Sequence, residues 1–317
     1  MTRRPKRPAV KKPRKRIASV SGEKPVAEAA AVILRQRFDG VLYYLPRVAE
    51  HADENIEYVH QLRVASRRSV AAIDAYRPLL PRKRSKAIRK ALRQLRKGLG
   101  EARDLDVMRM RLQAEAERTD SKKLRRVVRM LKEKRVVEQQ VVKEACDDFE
   151  TLKLPAQIDK LLTKTRWRNK SAEPTLLEFD ADLFDAATQH FFTNIHPESK
   201  DPLVLHETRI EAKRLRYTLE LVEPILPKAA ARKPRRLFAD LQESLGQISD
   251  HAAAEELFER WADKSSAGST LKKLAATERK QLQEAAVAFH AHWPAKRLKK
   301  LRQLLNDLVA AVQTAAK

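Results

Sequence analysis

The chain has 317 residues and a formal net charge of +25, from 67 lysines and arginines against 42 acidic residues. A surplus of this size attracts polyanions and disfavours cationic partners. Six glycines and an aromatic content of 5% favour long helices over sheets, and they disfavour a base-stacking platform for single-stranded nucleic acid. The lone Cys146 has no internal disulfide partner, which is typical of a reducing compartment.

The first 24 residues form a basic segment with ten lysines and arginines and one acid, Glu23. Its prolines disfavour helix, and its composition predicts a disordered basic tail over residues 1–24. No apolar run approaches the roughly 18 residues of a membrane span, and no apolar stretch of a secretory signal follows the basic start. We therefore expect a cytoplasmic protein.

From Pro25 onward, apolar residues recur at helical spacing, interrupted by short breaks. The breaks fall near Asp53, Pro78–Pro81, Thr119–Ser121, Leu154-Pro155, Asn169–Thr175, His196–Pro202, Pro224–Pro227, Ser265–Ser269 and Trp293-Pro294. This pattern predicts an all-α protein with five or six helices in each half and no strand.

The two halves share an ungapped repeat at an offset of 146 residues, from His60–Asp104 onto His206–Asp250. The matched residues include a histidine, several lysine or arginine positions, two prolines and a Leu-Gly-x-x-x-Asp motif. A repeat of this length predicts two similar helical bundles, which we place at about 25–169 and 174–317, related by a pseudo-twofold axis.

Each copy carries basic residues on what helical spacing predicts to be one face, with the packing residues roughly opposite. We name these sets the first basic stripe (His60, Arg63, Arg67, Arg68) and the second basic stripe (His206, Arg209, Lys213, Arg214). A charged helix face is often only solvated, but a face headed by histidine in both copies favours a binding role. Arginine grips two phosphate oxygens with its planar fork, and lysine and histidine add further donors.

The next helix of the first copy, Arg82–Lys97, has nine basic residues and no acid. Like charges at helical spacing repel each other, so their retention favours an anion ligand. Arg89, Arg93 and Arg96 gather on one flank of its apolar positions.

The motif His-x-x-Arg-x-x-x-basic-Arg, followed by a Leu-Pro turn and Leu-Gly-x-x-x-Asp, resembles the CHAD family, the conserved histidine α-helical domain. The resemblance covers about Pro25 to Ala316. It implies two helical bundles that bind inorganic polyphosphate in a basic cavity between them, and association with polyphosphate granules. The implied binding residues are the two basic stripes, to which we add Arg89, Arg93, Arg96 and Arg216. The motif LGEARD at 99–104 becomes LGQISD in the second copy, so Arg103 has no symmetric counterpart.

Other functional classes have weaker support. Asp104 and Asp250 recur, but each is predicted to follow a helix break and to cap the next helix. No Walker or His-Glu-x-x-His motif occurs, so we expect no enzymatic activity and no cofactor or metal. Sequence-nonspecific nucleic-acid binding through the basic tail and surface remains the alternative.

Overall fold

A computed structural model describes residues 12, 13, 17, 20–52, 54–151, 153–263 and 265–316, with the side chains of 150 and 151 excepted. This part of the chain forms eleven α-helices and two short 3-10 helices and contains no β-strand, which confirms the all-α prediction. The α-helices are α1 (Val26–His51), α2 (Ile56–Ala75), α3 (Arg82–Gly98), α4 (Gly100–Arg118), α5 (Lys122–Thr151), α6 (Leu154–Leu162), α7 (Leu176–Asn194), α8 (Pro202–Leu221), α9 (Lys228–Ala262), α10 (Gly268–His292) and α11 (Ala295–Ala315).

The repeat seen in the sequence is matched by the secondary structure. Helices α2 and α8 begin and end 146 residues apart, as do the 3-10 helices Arg77–Leu79 and Glu223–Ile225. Helices α3 and α9 also start at that offset. The copies then diverge, because the first breaks at Leu99 whereas α9 continues through Gly246. This shared register supports an internal duplication.

The chain divides into two compact units whose boundaries differ from the predicted halves. The first unit contains Pro25–Asp104 and Arg135–Glu173; the second contains Leu105–Lys134 and Pro174–Lys317. The segment Leu105–Lys134, which we name the hairpin segment, was predicted to belong with the first half. It belongs to the second unit because its apolar side chains are buried against α9 and α10.

The first unit is built on α1, α2, α3 and α6, which pack against one another. The apolar face of α1 buries Ile33, Leu34 and Phe38, and α2 buries Leu62 and Ile73. The helices α1 and α2 approach closely: a Cβ at Gly40 would lie 3.1 Å from that of Ala65. Because α2 packs its apolar face against the core, its basic residues lie on another side of the helix.

The second unit has two apolar clusters. One joins α7, α8, α9 and α11, with the ring centroids of Phe191 and Phe238 5.5 Å apart. The other joins the hairpin segment to α9 and α10 around Phe258 and Trp261, whose ring centroids lie 6.2 Å apart. Arg111 of α4 strengthens this second junction, because it pairs at 2.5 Å with the buried Glu278 of α10.

The predicted tail, residues 1–24, lies mostly outside the described residues. Its last part differs from the prediction of disorder. The side chains of Ile17 and Val20 are buried. The carbonyls of Gly22 and Lys24 accept hydrogen bonds from the backbone of Leu177 (2.9 Å) and Leu176 (2.8 Å). In the described residues 17 and 20–24, apolar side chains and backbone hydrogen bonds thus hold the chain against the protein.

Candidate functional site

The first basic stripe begins on α2, whose N-terminus is capped by the side chain of Asn55 accepting from the backbone of Glu57 at 3.0 Å. His60, Arg63 and Arg67 lie on one side of this helix and are half-buried. Each of these side chains is thus partly covered by the protein and partly exposed.

Arg63 is fixed by the neighbouring helix. Its Nη1 donates a 2.7 Å hydrogen bond to the carbonyl of Arg96 near the end of α3. Burial, and next the charge of Arg67, lowers the pKa of Arg63 to about 10, while Asp104 acts in the opposite direction. This direction reflects a guanidinium that is partly buried among other positive charges.

Arg67 and His60 complete the same cluster. The Nε of Arg67 is buried, and no described residue accepts a hydrogen bond from it. The pKa of His60 is lowered, first by burial and then by the charge of Arg103, with Arg67 and Arg63 adding to the effect. We name His60, Arg63, Arg67 and Arg103 the anion cluster.

Arg103 is the residue that sequence reasoning undervalued. It lies in the first turns of α4 and its charge acts on both His60 and Arg63. The sequence contains a signal for Arg103, the LGEARD motif. Because the second copy reads LGQISD, the comparison of the two copies predicted no shared role for this arginine. Its counterpart Ser249 is 4% exposed within α9, so the second copy has no room there for an arginine.

Other predicted residues of the first copy lie elsewhere. Arg68 lines a separate groove of about 420 Å³ between α1 and α2, beside Tyr43 and Tyr58. It sits on a different side of α2 because it is eight residues from His60, which is about 80° around the helix. Arg89 pairs with Asp74, Nε to Oδ1, at 2.7 Å. The prediction that Arg68 shares one face with His60 is therefore wrong. Arg89, predicted on the flank of the next helix, already has a carboxylate partner.

Arg93 and Arg96 both lie on α3 and differ in exposure. Arg93 is exposed and Arg96 is half-buried. The described contact between α3 and the cluster is made by the backbone carbonyl of Arg96, and the charge of its side chain further lowers the pKa of Arg63. Arg96 is thus the flank residue that the structure brings to the cluster.

In the second unit, His206, Arg209 and Lys213 form the corresponding side of α8. The pKa of His206 is lowered by burial and then by Arg209 and Lys213. Here, however, Arg209 pairs with Asp250 at 2.9 Å. The repeated aspartates were predicted to be helix caps, and this is wrong: both lie inside helices, and Asp250 binds the repeated arginine.

The remaining bases of the second copy are also paired. Arg214 contacts Glu211, a residue that replaces Ala65 of the first copy. Arg216 lies 3.8 Å from Glu220 and 5.0 Å from the ring centroid of Tyr217. The second basic stripe therefore has more of its positive charge neutralised by the protein itself.

Two further features of the described residues concern metal ions and membranes. No group of three or more His, Cys, Asp or Glu side chains is placed there to hold a metal ion. None of the helices in the described part of the chain is both long and apolar enough to cross a membrane.

Comparison with known proteins decides the family. The family model described as CHAD domain matches residues 32–259. The chain belongs to the CHAD domain family. A comparison with curated protein sequences gives no significant match.

Solved structures share the fold of this CHAD domain. The crystal structure of the CHAD domain from the plant Ricinus communis superposes with a TM-score of 0.68 at 20% identity, covering 92% of this chain and 96% of that one. PptA from Streptomyces chartreusis gives a TM-score of 0.61 at 18% identity, covering 85% and 99%. At these identities the likeness establishes a common fold.

The lowered pKa of the two histidines predicts a pH dependence for anion binding. Free His60 and His206 are neutral near pH 7, and a bound polyanion raises the pKa of each, so acidification should tighten binding. Without ligand the sign is reversed: the fold disfavours protonated histidine, so stability falls as pH drops through the unfolded pKa of about 6.5.

We expect the affinity for a polyanion to rise several-fold more in the wild type than in a His60→Gln, His206→Gln double variant between about pH 8 and about pH 5.5. Isothermal titration at constant ionic strength measures this. Equal gains in both proteins would show that these histidines take no part in binding.

Proposed function

We propose that this CHAD domain binds inorganic polyphosphate without transforming it, and that the anion cluster is the main binding site. The observation that carries the proposal is the crowding of three arginines and a histidine, half-buried, with the pKa of Arg63 held at about 10. A phosphate chain would offset the repulsion among these cations. Family membership and the sequence resemblance agree with this ligand.

Polyphosphate fits the cluster better than nucleic acid does. Half-buried guanidinium groups are accessible to a thin, flexible phosphate chain, whereas a duplex contacts mainly the exposed lysine and arginine side chains. The nucleobases of a single strand would also need stacking partners, and aromatic residues make up only 5% of the chain. Nucleic-acid binding through the basic residues of 1–24 is the second candidate, and it rests on their ten positive charges.

We infer that both basic stripes serve the same polymer and that the first dominates. From His60 to Asp104 there are fourteen lysines and arginines against three acids, a net of +11, and from His206 to Asp250 nine against seven, a net of +2. The ion pairs of Arg209 and Arg214 reduce the free charge of the second stripe further, and Arg216 beside it is paired with Glu220. In the cell, such binding would place the protein on cytoplasmic polyphosphate granules.

A competition experiment tests the function. The protein is loaded with a fluorescent long-chain polyphosphate at physiological salt and challenged with unlabelled polyphosphate, pyrophosphate, ATP or duplex DNA. We expect polyphosphate to displace the probe at phosphate concentrations far below those of the other competitors. Displacement by duplex DNA at the same phosphate concentration would favour the nucleic-acid alternative.

A further inference from the structure

A second basic groove lies in the hairpin segment, between α4 and α5. It encloses about 480 Å³, and its walls carry Arg109 on α4 and Arg125, Arg129 and Lys132 on α5. Met110 and Val128 contribute apolar surface between these charges. All of these residues belong to the second unit, and none is part of either basic stripe.

The charges of this groove are poorly balanced by the protein. The described lining contains no carboxylate. Asp120, at the hairpin turn, pairs with Arg125; the carboxylate side chain is 87% exposed and that of Arg125 is 49% exposed. The Nε of Arg109 is buried, and within the described part of the chain nothing accepts a hydrogen bond from it.

The spacing along α5 adds a second argument. Arg125, Arg129 and Lys132 stand at i, i+4 and i+7, so their charges repel one another on one side of the helix. They extend over about 10 Å of helix axis, at about 1.5 Å per residue. A row of like charges along a groove is stabilised by a ligand with a matching row of negative charges.

We propose that this groove is a second phosphate-binding site that holds part of a linear polyphosphate chain. The identity of the polymer rests on the proposed function, whereas the class of ligand, a row of phosphate groups, rests on the groove itself. Within the groove, a chain of several phosphates would contact more of the basic row on α5 than a single phosphate can, so the groove favours a polymer over monophosphate.

The shape of the groove favours a bare phosphate chain over nucleic acid. Its four basic residues stand on only two helices, and the three on α5 lie within residues 125–132, a short row that a thin phosphate chain can follow. No aromatic side chain lines the described groove on which a base could stack.

A methionine provides a direct readout. The chain has four methionines; Met110 lines the groove and is 56% exposed, whereas Met108 is 7% exposed in the core of the same helix. In protein labelled with [¹³C-methyl]methionine, we expect long-chain polyphosphate to shift the Met110 methyl resonance and to leave Met108 in place. An unchanged Met110 signal at saturating polyphosphate would overturn the proposal.

Charge reversal tests the groove by affinity. We expect Arg129→Glu with Lys132→Glu to weaken long-chain polyphosphate binding by about tenfold. The matched control, Lys123→Glu with Arg126→Glu, changes the same charge at exposed positions of α5 outside the groove. Both variants should remain helical by circular dichroism. Equal losses of affinity would show that the effect comes from net charge and not from the groove, which would contradict the proposal.

Failure of the groove can be told apart from failure of the proposed function. Tripolyphosphate is titrated into a variant with Arg63→Glu and Arg67→Glu, in which the anion cluster is disabled. A Met110 shift there supports the groove whatever the fate of the cluster. If the Met110 resonance shifts neither in this variant nor in the wild type, the groove proposal is contradicted. The anion cluster is then still tested separately, by its effect on polyphosphate affinity.

Discussion

Reversing the charge of Arg63 and Arg67 together is expected to weaken long-chain polyphosphate binding at least a hundredfold. Each arginine offers charge-assisted hydrogen bonds of about 1.5–3 kcal/mol, and about 1.4 kcal/mol corresponds to a tenfold change in affinity. The substituted carboxylates would in addition repel the ligand. Equilibrium titration at fixed ionic strength measures the loss.

The control for this variant is Lys86→Glu with Lys90→Glu, two exposed positions on α3. It applies the same change in charge away from the cluster, and we expect a loss of less than about tenfold. Because Arg63 also binds the carbonyl of Arg96, the neutral pair Arg63→Gln with Arg67→Gln guards against a folding defect. Equal losses in the cluster and control variants would contradict a specific site.

The matched change in the second copy, Arg209→Glu with Lys213→Glu, should cost less. Asp250 already neutralises Arg209 at 2.9 Å, so that arginine contributes less free charge to a ligand. Losses as large as those of the first copy would show that the two stripes share the affinity evenly.

The second large effect concerns stability. Phe258 is fully buried where the hairpin segment meets α9 and α10. Phe258→Ala removes most of this ring from the cluster, and changes of this kind cost about 3–5 kcal/mol. We expect a lower free energy of unfolding in denaturant titrations and faster amide exchange in residues 105–134, which lose their main apolar partner.

Val287 supplies the comparison, because it is 71% exposed on α10. Val287→Ala should change the free energy of unfolding by less than about 0.5 kcal/mol. If Phe258→Ala were equally mild, the hairpin segment could not depend on this junction, and its assignment to the second unit would lose its physical basis.

Much of the fold could be predicted from the sequence because its signals are local. Prolines mark the breaks before α3, α8 and α11, and apolar spacing marks the helices between them. The offset of 146 residues between His60 and His206 likewise predicted that α2 and α8 would correspond. Such features depend only on neighbours along the chain.

What the sequence could not show depends on packing between distant residues. The hairpin segment joins the second unit through Phe258 and Trp261, more than 120 residues away. Asp250 looked like a cap, but α9 runs through Gly246 without a break, which leaves the carboxylate free to bind Arg209. Arg68 is a different case: it was assigned to the basic face although it stands about 80° around the helix from His60, and its side chain lines the groove between α1 and α2.

The geometry of the anion cluster agrees with the predicted basic face at its centre and differs from it at the edges, while its binding role stays a prediction. His60, Arg63 and Arg67 come together as expected, since they share one side of a single helix. Arg103 joins them from α4, through the turn at Leu99 that only the first copy has. Arg89 is not part of the cluster, because its guanidinium pairs with the carboxylate of Asp74 on α2 at 2.7 Å.

The anion cluster and the basic N-terminal segment make opposite predictions, and one measurement separates them: the affinity for long-chain polyphosphate of two variants at the same salt concentration. One carries Arg63→Glu with Arg67→Glu; the other lacks residues 1–11, which removes five bases and spares the buried Ile17 and Val20. We expect the first variant to lose tight binding and the second to retain it within about tenfold. Retention by the first variant and loss by the second would contradict the assignment of the site to the anion cluster.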